Sequence, residues 1–328
     1  MILLYISEMS MKIQVFSHYD NTMKHKKNGA VHYLLRGIQE YGDEVYHIVT
    51  EDPQPFFKKP KPNIIVLQGT FDDEVRATDS KVHFRQLVKD YAYEQKIPLL
   101  VLETNTASRV VEQPLVSIHK FHRVAFQHWL FGKGYFFEED YKNDRWERLK
   151  AQHNLKVTPW KNHGEYILLL LGYSQDPTND LPPIRFCLDK IPEIRRYTDL
   201  PIVIRFHPLE QIPENFINQF QNMSVTIDSN KSILQSLEKA KMAVMYNSTS
   251  IFQTVYSGVP VIVGVNNFAS EVASMSISEI NSPKLFDQEE WFARMAYTEW
   301  TREEMATPIF WERWRGNYYR YKEMINVS

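Results

Sequence analysis

Reactive side chains stand directly after an apolar run in the second half of the sequence. In IVIRFHPLE, the run Ile202–Phe206 predicts a buried strand that carries Arg205 and leads into His207 and Pro208. Ligands of open α/β sheets bind beyond the carboxyl ends of the strands. An imidazole held extended by the following proline could donate to a phosphate oxygen, and Arg205 could pair with a phosphate. The alternative is a strand-terminating turn with a solvated arginine.

A second polar segment follows another apolar run. The strand predicted here ends at Tyr246, and four polar residues come next: Asn247, Ser248, Thr249 and Ser250. A helix is predicted over Ser250–Tyr256, so its first backbone N–H groups, the hydroxyls and the helix dipole could hold an anion such as a nucleotide phosphate. Serine, threonine and asparagine are also ordinary N-caps, which is the alternative.

The elements that must position these residues alternate regularly. Short runs of Val, Ile and Leu recur between helical patterns, which predicts parallel strands with crossover helices. The strands predicted in the first half are Ile13–Ser17, Val45–Thr50, Asn63–Gly69 and Pro98–Thr104. The pattern is lost between Leu115 and Trp160 and restarts at Tyr166. The segment Gln288–Tyr321 is predicted to be helical.

The length and the alternation together predict two domains. A chain of 328 residues exceeds the size at which one hydrophobic core usually stops growing. We expect an α/β fold of two Rossmann-like domains facing each other across a cleft. Residues 1–160 are expected to form the first domain and residues 161–287 the second. Residues 288–328 are expected to be helices that pack back across the cleft.

The order of motifs in the second half resembles a known family. The pair His207-Pro208, followed about 40 residues later by a strand, a Ser/Thr run, a helix and Gly-x-Pro-Val, resembles the donor domain of bacterial sialyl-, Kdo- and capsule-type GT-B glycosyltransferases. The phrases YNSTSIFQTVYSGVPVIV and AYTEWTREEM are also similar to glycosyltransferase-like proteins of tailed phages. The resemblance implies the GT-B fold, with a nucleotide-sugar donor in the second domain and an acceptor in the first.

The resemblance also implies roles for two further residues. Gly172, at the end of the strand predicted from Tyr166, would lie in the loop under the donor diphosphate, where glycine allows close approach of the backbone. An ordinary turn residue is the alternative. Gln253 stands where many GT-B enzymes have a glutamate that holds the ribose hydroxyls, and its amide can accept a hydrogen bond without carrying charge. The identity of the nucleotide therefore stays open.

An inverting sugar transfer needs a general base beside the acceptor hydroxyl. Glu103 ends the fourth predicted strand and is our first candidate. T-even phage DNA β-glucosyltransferases place their base at this position, in the similar phrase strand–Thr–Asp. His18 and Asp20 follow the first strand and compete for the role. Each of the three could instead cap a loop.

Basic and aromatic residues interleave from residue 119 to residue 137. Phosphates could take the charges and rings could take the base faces, which predicts acceptor-binding residues at the start of the stretch: His119, Lys120, His122 and Arg123. The acceptor we expect first is a hydroxymethylated pyrimidine in phage DNA. The alternatives are a capsule or lipopolysaccharide enzyme that uses a CMP-activated acidic sugar, a transferase of another group onto DNA, and a non-catalytic binding protein.

Composition limits the remaining classes of protein. The net charge of −2 gives no overall sign of a polyanionic partner, and no window is long and apolar enough to cross a bilayer. The single Cys187 cannot form an intramolecular disulfide. We expect a cytoplasmic protein that needs no metal and no cofactor besides the nucleotide-sugar co-substrate. No oligomeric state is predicted.

Overall fold

A computed structural model of the chain describes residues 10–18, 29–69, 80–104, 121–128, 131–174, 181–221, 223–230 and 232–327. Two β-sheets with helices packed against them form its framework. None of the described helices is long and apolar enough to span a membrane.

Within the described residues, the first sheet contains six strands, numbered along the chain: β1 (Lys12–His18), β2 (Glu44–Thr50), β3 (Ile64–Gln68), β4 (Leu99–Thr104), β5 (Phe121–Phe126) and β11 (Glu299–Thr301). Their order across the sheet is β2-β1-β3-β4-β5-β11. The first four strands are parallel, whereas β5 is antiparallel to both β4 and β11. The carboxyl ends of β1 to β4 therefore meet at one edge.

Two helices cover opposite faces of the first sheet. Helix α1 (Ala30–Tyr41) buries an apolar stripe at helical spacing that includes Val31, Leu34 and Ile38. It ends at Gly42, whose φ of 102° favours glycine. Helix α2 (Ser80–Glu94) packs through Phe84 and Val88 against the other face.

In the part of the chain that the structure describes, the second sheet contains five parallel strands: β6 (Tyr166–Leu170), β7 (Ile202–Arg205), β8 (Val225–Ile227), β9 (Ala240–Met245) and β10 (Val261–Ile262). Their order is β10-β9-β6-β7-β8. Its helices are α4 (Pro183–Ile194), α5 (Ile233–Lys239) and α6 (Ile251–Tyr256), with a 3-10 turn at Ile217–Phe220. The predicted α/β class with two Rossmann-like units is confirmed.

Helix α3 (Asp144–His153) lies between the two sheets in sequence. Its Arg145 is 4% exposed and donates to the carbonyl oxygens of Ala296 and Glu299 and to the carboxylate of Glu304. The same guanidinium lies 3.7 Å from the ring centroid of Trp300. Arg145 thus fastens the chain before the second sheet to the segment that follows it.

The C-terminal segment corrects one prediction. Gln288–Tyr321 is not one helical stretch, but α7 (Gln288–Met295), then β11, α8 (Arg302–Met305) and α9 (Pro308–Val327). The interruption arises because Thr301 caps α8 in a capping box with Glu304, while β11 pairs with β5. Gly37 of α1 lies against the carbonyl oxygen of Met305 at a distance that only glycine permits.

Strand β5 is a second correction, because no strand is predicted there from the sequence. All six of its residues are buried. A strand covered on both faces lacks the alternation of apolar and polar residues that marks a half-exposed one. His122 and Arg123, predicted as part of a basic patch that binds the acceptor, lie inside the sheet with 3% and 6% of their surface exposed.

Candidate functional site

The three central strands of the second sheet end at the same level. Leu170 of β6 pairs with Arg205 on β7 and with Met245 on β9. Three predicted site residues lie two positions beyond this row, in the loops that follow the strands: Gly172, His207 and Asn247. Three segments that are far apart in sequence are therefore brought to one edge of the sheet.

The loops after β6 and β7 are joined directly. The ring centroids of Tyr173 and His207 lie 5.2 Å apart. The backbone N–H of Ser174 donates to a carboxylate oxygen of Glu210 at 2.7 Å. Gly172, partly exposed, precedes this contact. The two loops consequently form one continuous surface.

His207 has a defined orientation. Its Nδ1 accepts the backbone N–H of Leu209 at 3.3 Å, and its carbonyl oxygen accepts the N–H of Glu210 at 2.9 Å. Because Nδ1 is an acceptor here, the proton of the neutral ring belongs on Nε2. Pro208 and Leu209 are exposed beside it. The imidazole can therefore act as a hydrogen-bond donor at this edge.

Arg205 binds groups of the protein itself, whereas the sequence suggested a phosphate of a ligand as its partner. Its Nη1 lies 2.5 Å from Oδ2 of Asp228, 3.0 Å from the carbonyl oxygen of Asn230 and 3.3 Å from the hydroxyl of Ser236. The alternative of a solvated arginine is wrong, since the side chain is 18% exposed. A phosphate contact of Arg205 stays a prediction, and any anion would compete with Asp228.

Asp228, which follows β8, is a buried carboxylate with several donors. Burial acts to raise its pKa, but the hydrogen bonds from Ser236, Asn230 and Arg205 outweigh burial and hold the pKa below its usual value. The side chain is 1% exposed. Asp228 is therefore charged at neutral pH, and this network rigidifies the ends of β7 and β8.

In the loop after β9, the side chain that caps a backbone N–H group is not that of the helix N-cap residue. Ser248 Oγ accepts the backbone N–H of Ser250 at 3.3 Å, whereas Ser250, the N-cap of α6, makes no capping bond with its side chain. Thr249, like its neighbours, is partly exposed, and its carbonyl oxygen accepts the N–H of Phe252 at 3.4 Å. Gln253 lies on the first turn of α6, also partly exposed. The hydroxyl of Ser250 therefore has no role in capping.

Tyr246 lies at the start of this loop. Its ring packs so closely on Gly264, after β10, that a Cβ at that position would overlap the ring. Its carbonyl oxygen accepts the N–H of Gly264 at 2.9 Å. Tyr246 therefore attaches the loop after β9 to the segment that follows β10.

At the carboxyl edge of the first sheet, three charged residues form a row. Glu103 on β4 pairs with Arg123 on β5, and Arg123 pairs with Glu299 on β11. Directly paired residues present their side chains on the same face. Glu103 is partly exposed, whereas Arg123 and Glu299 are 6% and 2% exposed. The structure thus brings the predicted base and one predicted acceptor residue together and adds a second carboxylate.

The other candidates in this half lie apart from that row. His18, at the end of β1, is 3% exposed and contacts the ring of Phe84 edge-on at 5.4 Å. Because β3 lies between β1 and β4, the backbones of His18 and Glu103 are separated by about 10 Å. His122, on the face of β5 opposite to Arg123, has Nε2 3.3 Å from Nε of Arg302. Asp20, His119 and Lys120 lie outside the described residues.

The two edges approach each other through Phe268, which follows β10. The guanidinium carbon of Arg123 lies 6.0 Å from the centroid of the Phe268 ring. The rings of Phe131 and Phe136, which follow β5, lie 5.0 Å and 6.4 Å from the same ring. The row of Glu103 is therefore next to the loop that leaves the second sheet.

No protein-family model matches the sequence, and no curated protein matches it either. Solved structures do match its fold. The β-Kdo 2,7 transferase of Thermosulfurimonas dismutans KpsC superimposes with a TM-score of 0.52 at 13% identity, over 92% of this chain and 99% of that one. The chain has the GT-B fold.

Two further structures are similar to a smaller degree. The β-Kdo 2,4 transferase of the same KpsC has a TM-score of 0.46 and 14% identity, over 88% of this chain and 90% of that one. The UDP-GlcNAc 2-epimerase of Methanocaldococcus jannaschii, in complex with UDP-GlcNAc and UDP, has a TM-score of 0.27 and 12% identity, over 77% and 83%.

In this GT-B chain, several residues at the two edges were not predicted from the sequence. Asp228 binds Arg205, Glu210 binds the loop after β6 at Ser174, and Glu299 completes the row of Arg123. Asn267, which is 1% exposed, contacts the loop after β9. The position of Asp228 directly after a strand end was the available signal. Among the described residues, no group of three or more His, Cys, Asp or Glu side chains is placed to hold a metal ion.

Proposed function

We propose that the chain is a glycosyltransferase that moves a sugar from a nucleotide-sugar donor to a hydroxyl group of an acceptor. The observation that carries the proposal is the common level of β6, β7 and β9, which gathers Gly172, His207 and Ser248 at one edge. Beyond the carboxyl ends of parallel strands is where open α/β sheets bind ligands. The GT-B fold supports the same interpretation.

In the proposed site, the second sheet holds the donor. Nε2 of His207 donates to a phosphate oxygen, and the Tyr173 ring beside it offers an apolar face. The hydroxyls of Thr249 and Ser250 and the amide of Gln253 contact the remaining polar groups of the nucleotide. Gly172 allows the backbone to approach the diphosphate.

The first sheet supplies the base. As the acceptor oxygen forms its bond to the anomeric carbon, its proton passes to the carboxylate of Glu103. The bond between the anomeric carbon and the phosphate oxygen breaks, and its electron pair leaves with the nucleotide. Arg123, in register with Glu103, places a cation on the same face of the sheet as that carboxylate.

The acceptor is proposed only as a hydroxyl compound. Burial of His122 and Arg123 in β5 removes two residues from the basic patch that suggested nucleic acid. A hydroxymethylated pyrimidine in DNA now rests on the resemblance to phage proteins alone. A bacterial polysaccharide acceptor, with a CMP-activated acidic sugar as donor, is the second arm of the test.

Calorimetric titration of the protein with CMP, UDP, GDP and ADP tests the proposal. We expect one nucleotide to bind, and His207→Ala to weaken its binding about tenfold, because one charge-assisted hydrogen bond is lost. Leu209→Ala is the matched control, since its exposed side chain lies two residues away. The activated sugar of that nucleotide is then incubated with hydroxymethylated DNA or a lipopolysaccharide core oligosaccharide, and the product is identified by mass spectrometry.

The outcomes separate the alternatives. Nucleotide binding without transfer to either acceptor, and without release of free nucleotide, would indicate a binding protein. No binding of any of the four nucleotides would remove the glycosyltransferase proposal. Equal binding by His207→Ala and the parent would move the donor site away from this edge.

A further inference from the structure

Asn267 lies in the segment 264–269 that follows β10, hereafter the bridging loop. Its side chain is 1% exposed. Nδ2 donates to the carbonyl oxygen of Tyr246 at 3.3 Å and lies 3.5 Å from that of Ser248. Oδ1 accepts the backbone N–H of Ala269 at 3.1 Å. The Asn267 amide therefore donates to the loop after β9 and accepts a hydrogen bond within the bridging loop.

The two carbonyl groups held by Asn267 flank Asn247. They belong to the loop after β9 at the level where β6, β7 and β9 end. Both are also acceptors for backbone N–H groups, from Gly264 to Tyr246 at 2.9 Å and from Ile251 to Ser248 at 3.2 Å. The direction of these carbonyls sets the direction of the peptide planes between them. Asn267 consequently fixes the orientation of Asn247 and Ser248.

The neighbours of Asn267 contact the other half of the molecule. Phe268 packs on Phe131 and lies near Arg123, which is in register with Glu103. Oδ1 of Asn266 lies 3.1 Å from where a Cβ of Gly132 would stand, at a φ of 81°. The residues on each side of Asn267 thus contact residues that belong to or follow β5 of the first sheet. Asn267 itself binds the loop that follows β9 of the second sheet.

We infer that Asn267 is a positioning residue, which holds the loop Tyr246–Ser250 in register with the row of Glu103 and Arg123. The role of Asn267 in sugar transfer rests on the proposed function, because the loop that it positions is the one proposed to bind the donor. The positioning itself is a property of the free protein. It can therefore be tested without a ligand.

Hydrogen–deuterium exchange of Asn267→Asp is the decisive measurement. Aspartate keeps the acceptor for Ala269 and loses the donor toward Tyr246 and Ser248. We expect the amides of Gly264 and Ile251 to exchange about tenfold faster, because a carboxylate beside two carbonyl groups loosens their hydrogen bonds. The global unfolding transition is the reference for effects on the whole fold.

Asn266→Asp is the matched control, because it places the same charge on the neighbouring residue and leaves the amide of Asn267 intact. We expect parental exchange at Gly264 and Ile251 in this control. Unchanged exchange in Asn267→Asp, or equal acceleration in both variants, would overturn the inference. Should Asn267→Asp not fold, Asn267→Ala is measured by the same criterion, and global unfolding of both would assign Asn267 to the core.

A kinetic readout then links positioning to the proposed function. With the nucleotide identified by calorimetry among CMP, UDP, GDP and ADP, we expect Asn267→Asp to raise the KM of its activated sugar about tenfold. The KM of the acceptor should stay at the parental value, which a general loss of stability would not produce. If none of the four nucleotides binds the parent, the proposed function fails, and the exchange result still decides the role of Asn267.

Discussion

Arg205 and Asp228 form a salt bridge at the ends of two neighbouring strands, with Nη1 2.5 Å from Oδ2. The carboxylate is 1% exposed and the guanidinium side chain 18% exposed. Removing one partner of such a pair leaves an uncompensated charge in the interior. The pair therefore makes Arg205 a structural residue, whatever its role toward a ligand.

We expect Arg205→Ala to lower the free energy of unfolding by about 3–5 kcal/mol, because the Asp228 carboxylate stays buried without its cation. Urea denaturation measures the change. Arg185→Ala is the control, since Arg185 pairs with Asp189 on the surface with 66% and 42% of the side chains exposed, and its removal should cost far less. Equal losses of free energy of unfolding in the two variants would show that the buried pair stabilises the fold no more than the exposed pair does.

The same pair predicts a dependence of stability on pH. The pKa of Asp228 is held below its usual value in the folded state, so its contribution is complete above the unfolded pKa of about 4. The contribution is lost as pH falls through the folded pKa. The stability difference between the parent and Asp228→Asn should therefore be largest at neutral pH and shrink below about pH 4. A difference that grows on acidification would contradict this sign.

Substitutions of the two serines in the loop after β9 should affect different quantities, one the stability of the fold and the other the binding of nucleotide. Ser248→Ala removes the acceptor for the Ser250 N–H and should cost about 1 kcal/mol of stability. Ser250→Ala removes no capping bond and should leave the melting temperature unchanged while it weakens nucleotide binding roughly tenfold. Thermal denaturation and calorimetry measure both. A Ser250→Ala variant that melts early but binds normally would assign this serine to the fold alone.

Glu103→Gln keeps the size of the side chain but cannot take a proton, so we expect turnover to fall by about a hundredfold or more. Donor affinity should barely change. His18→Ala and Asp20→Asn belong in the same assay, because His18 ends β1 and Asp20 comes two residues later in the sequence. Near-parental turnover of Glu103→Gln, with loss in either of the others, would move the base to that residue.

Much of the fold was predictable because its strands are short apolar runs between amphipathic helices. Each of the four strands predicted in the first half agrees with the observed strand to within one residue at either end. Strand β5 was missed because both its faces are covered and its sequence includes His122 and Arg123. Strand β11 was missed because three residues carry too little pattern, and its pairing with β5 joins residues about 180 positions apart.

The level ends of β6, β7 and β9 follow from the strand pattern, so the gathering of Gly172, His207 and Ser248 was predictable. The partner of Arg205 was not. A charged residue at a strand end has the same local sequence whether it faces a ligand or an internal carboxylate such as Asp228. Asn267 was equally hidden, because its contact with Tyr246 depends on how the bridging loop folds back.

The place of β11 in the first sheet has a consequence for synthesis on the ribosome. Residues 121–126 emerge long before residues 299–301, and until then β5 is the outer strand of its sheet, without the partner strand that residues 121–123 have in the complete fold. At about 5–20 residues per second, translation of the intervening segment takes on the order of 10–35 seconds. During that interval the second sheet can form, whereas the first sheet still lacks β11. The first sheet therefore gains β11 only after every described strand of the second sheet has been synthesised.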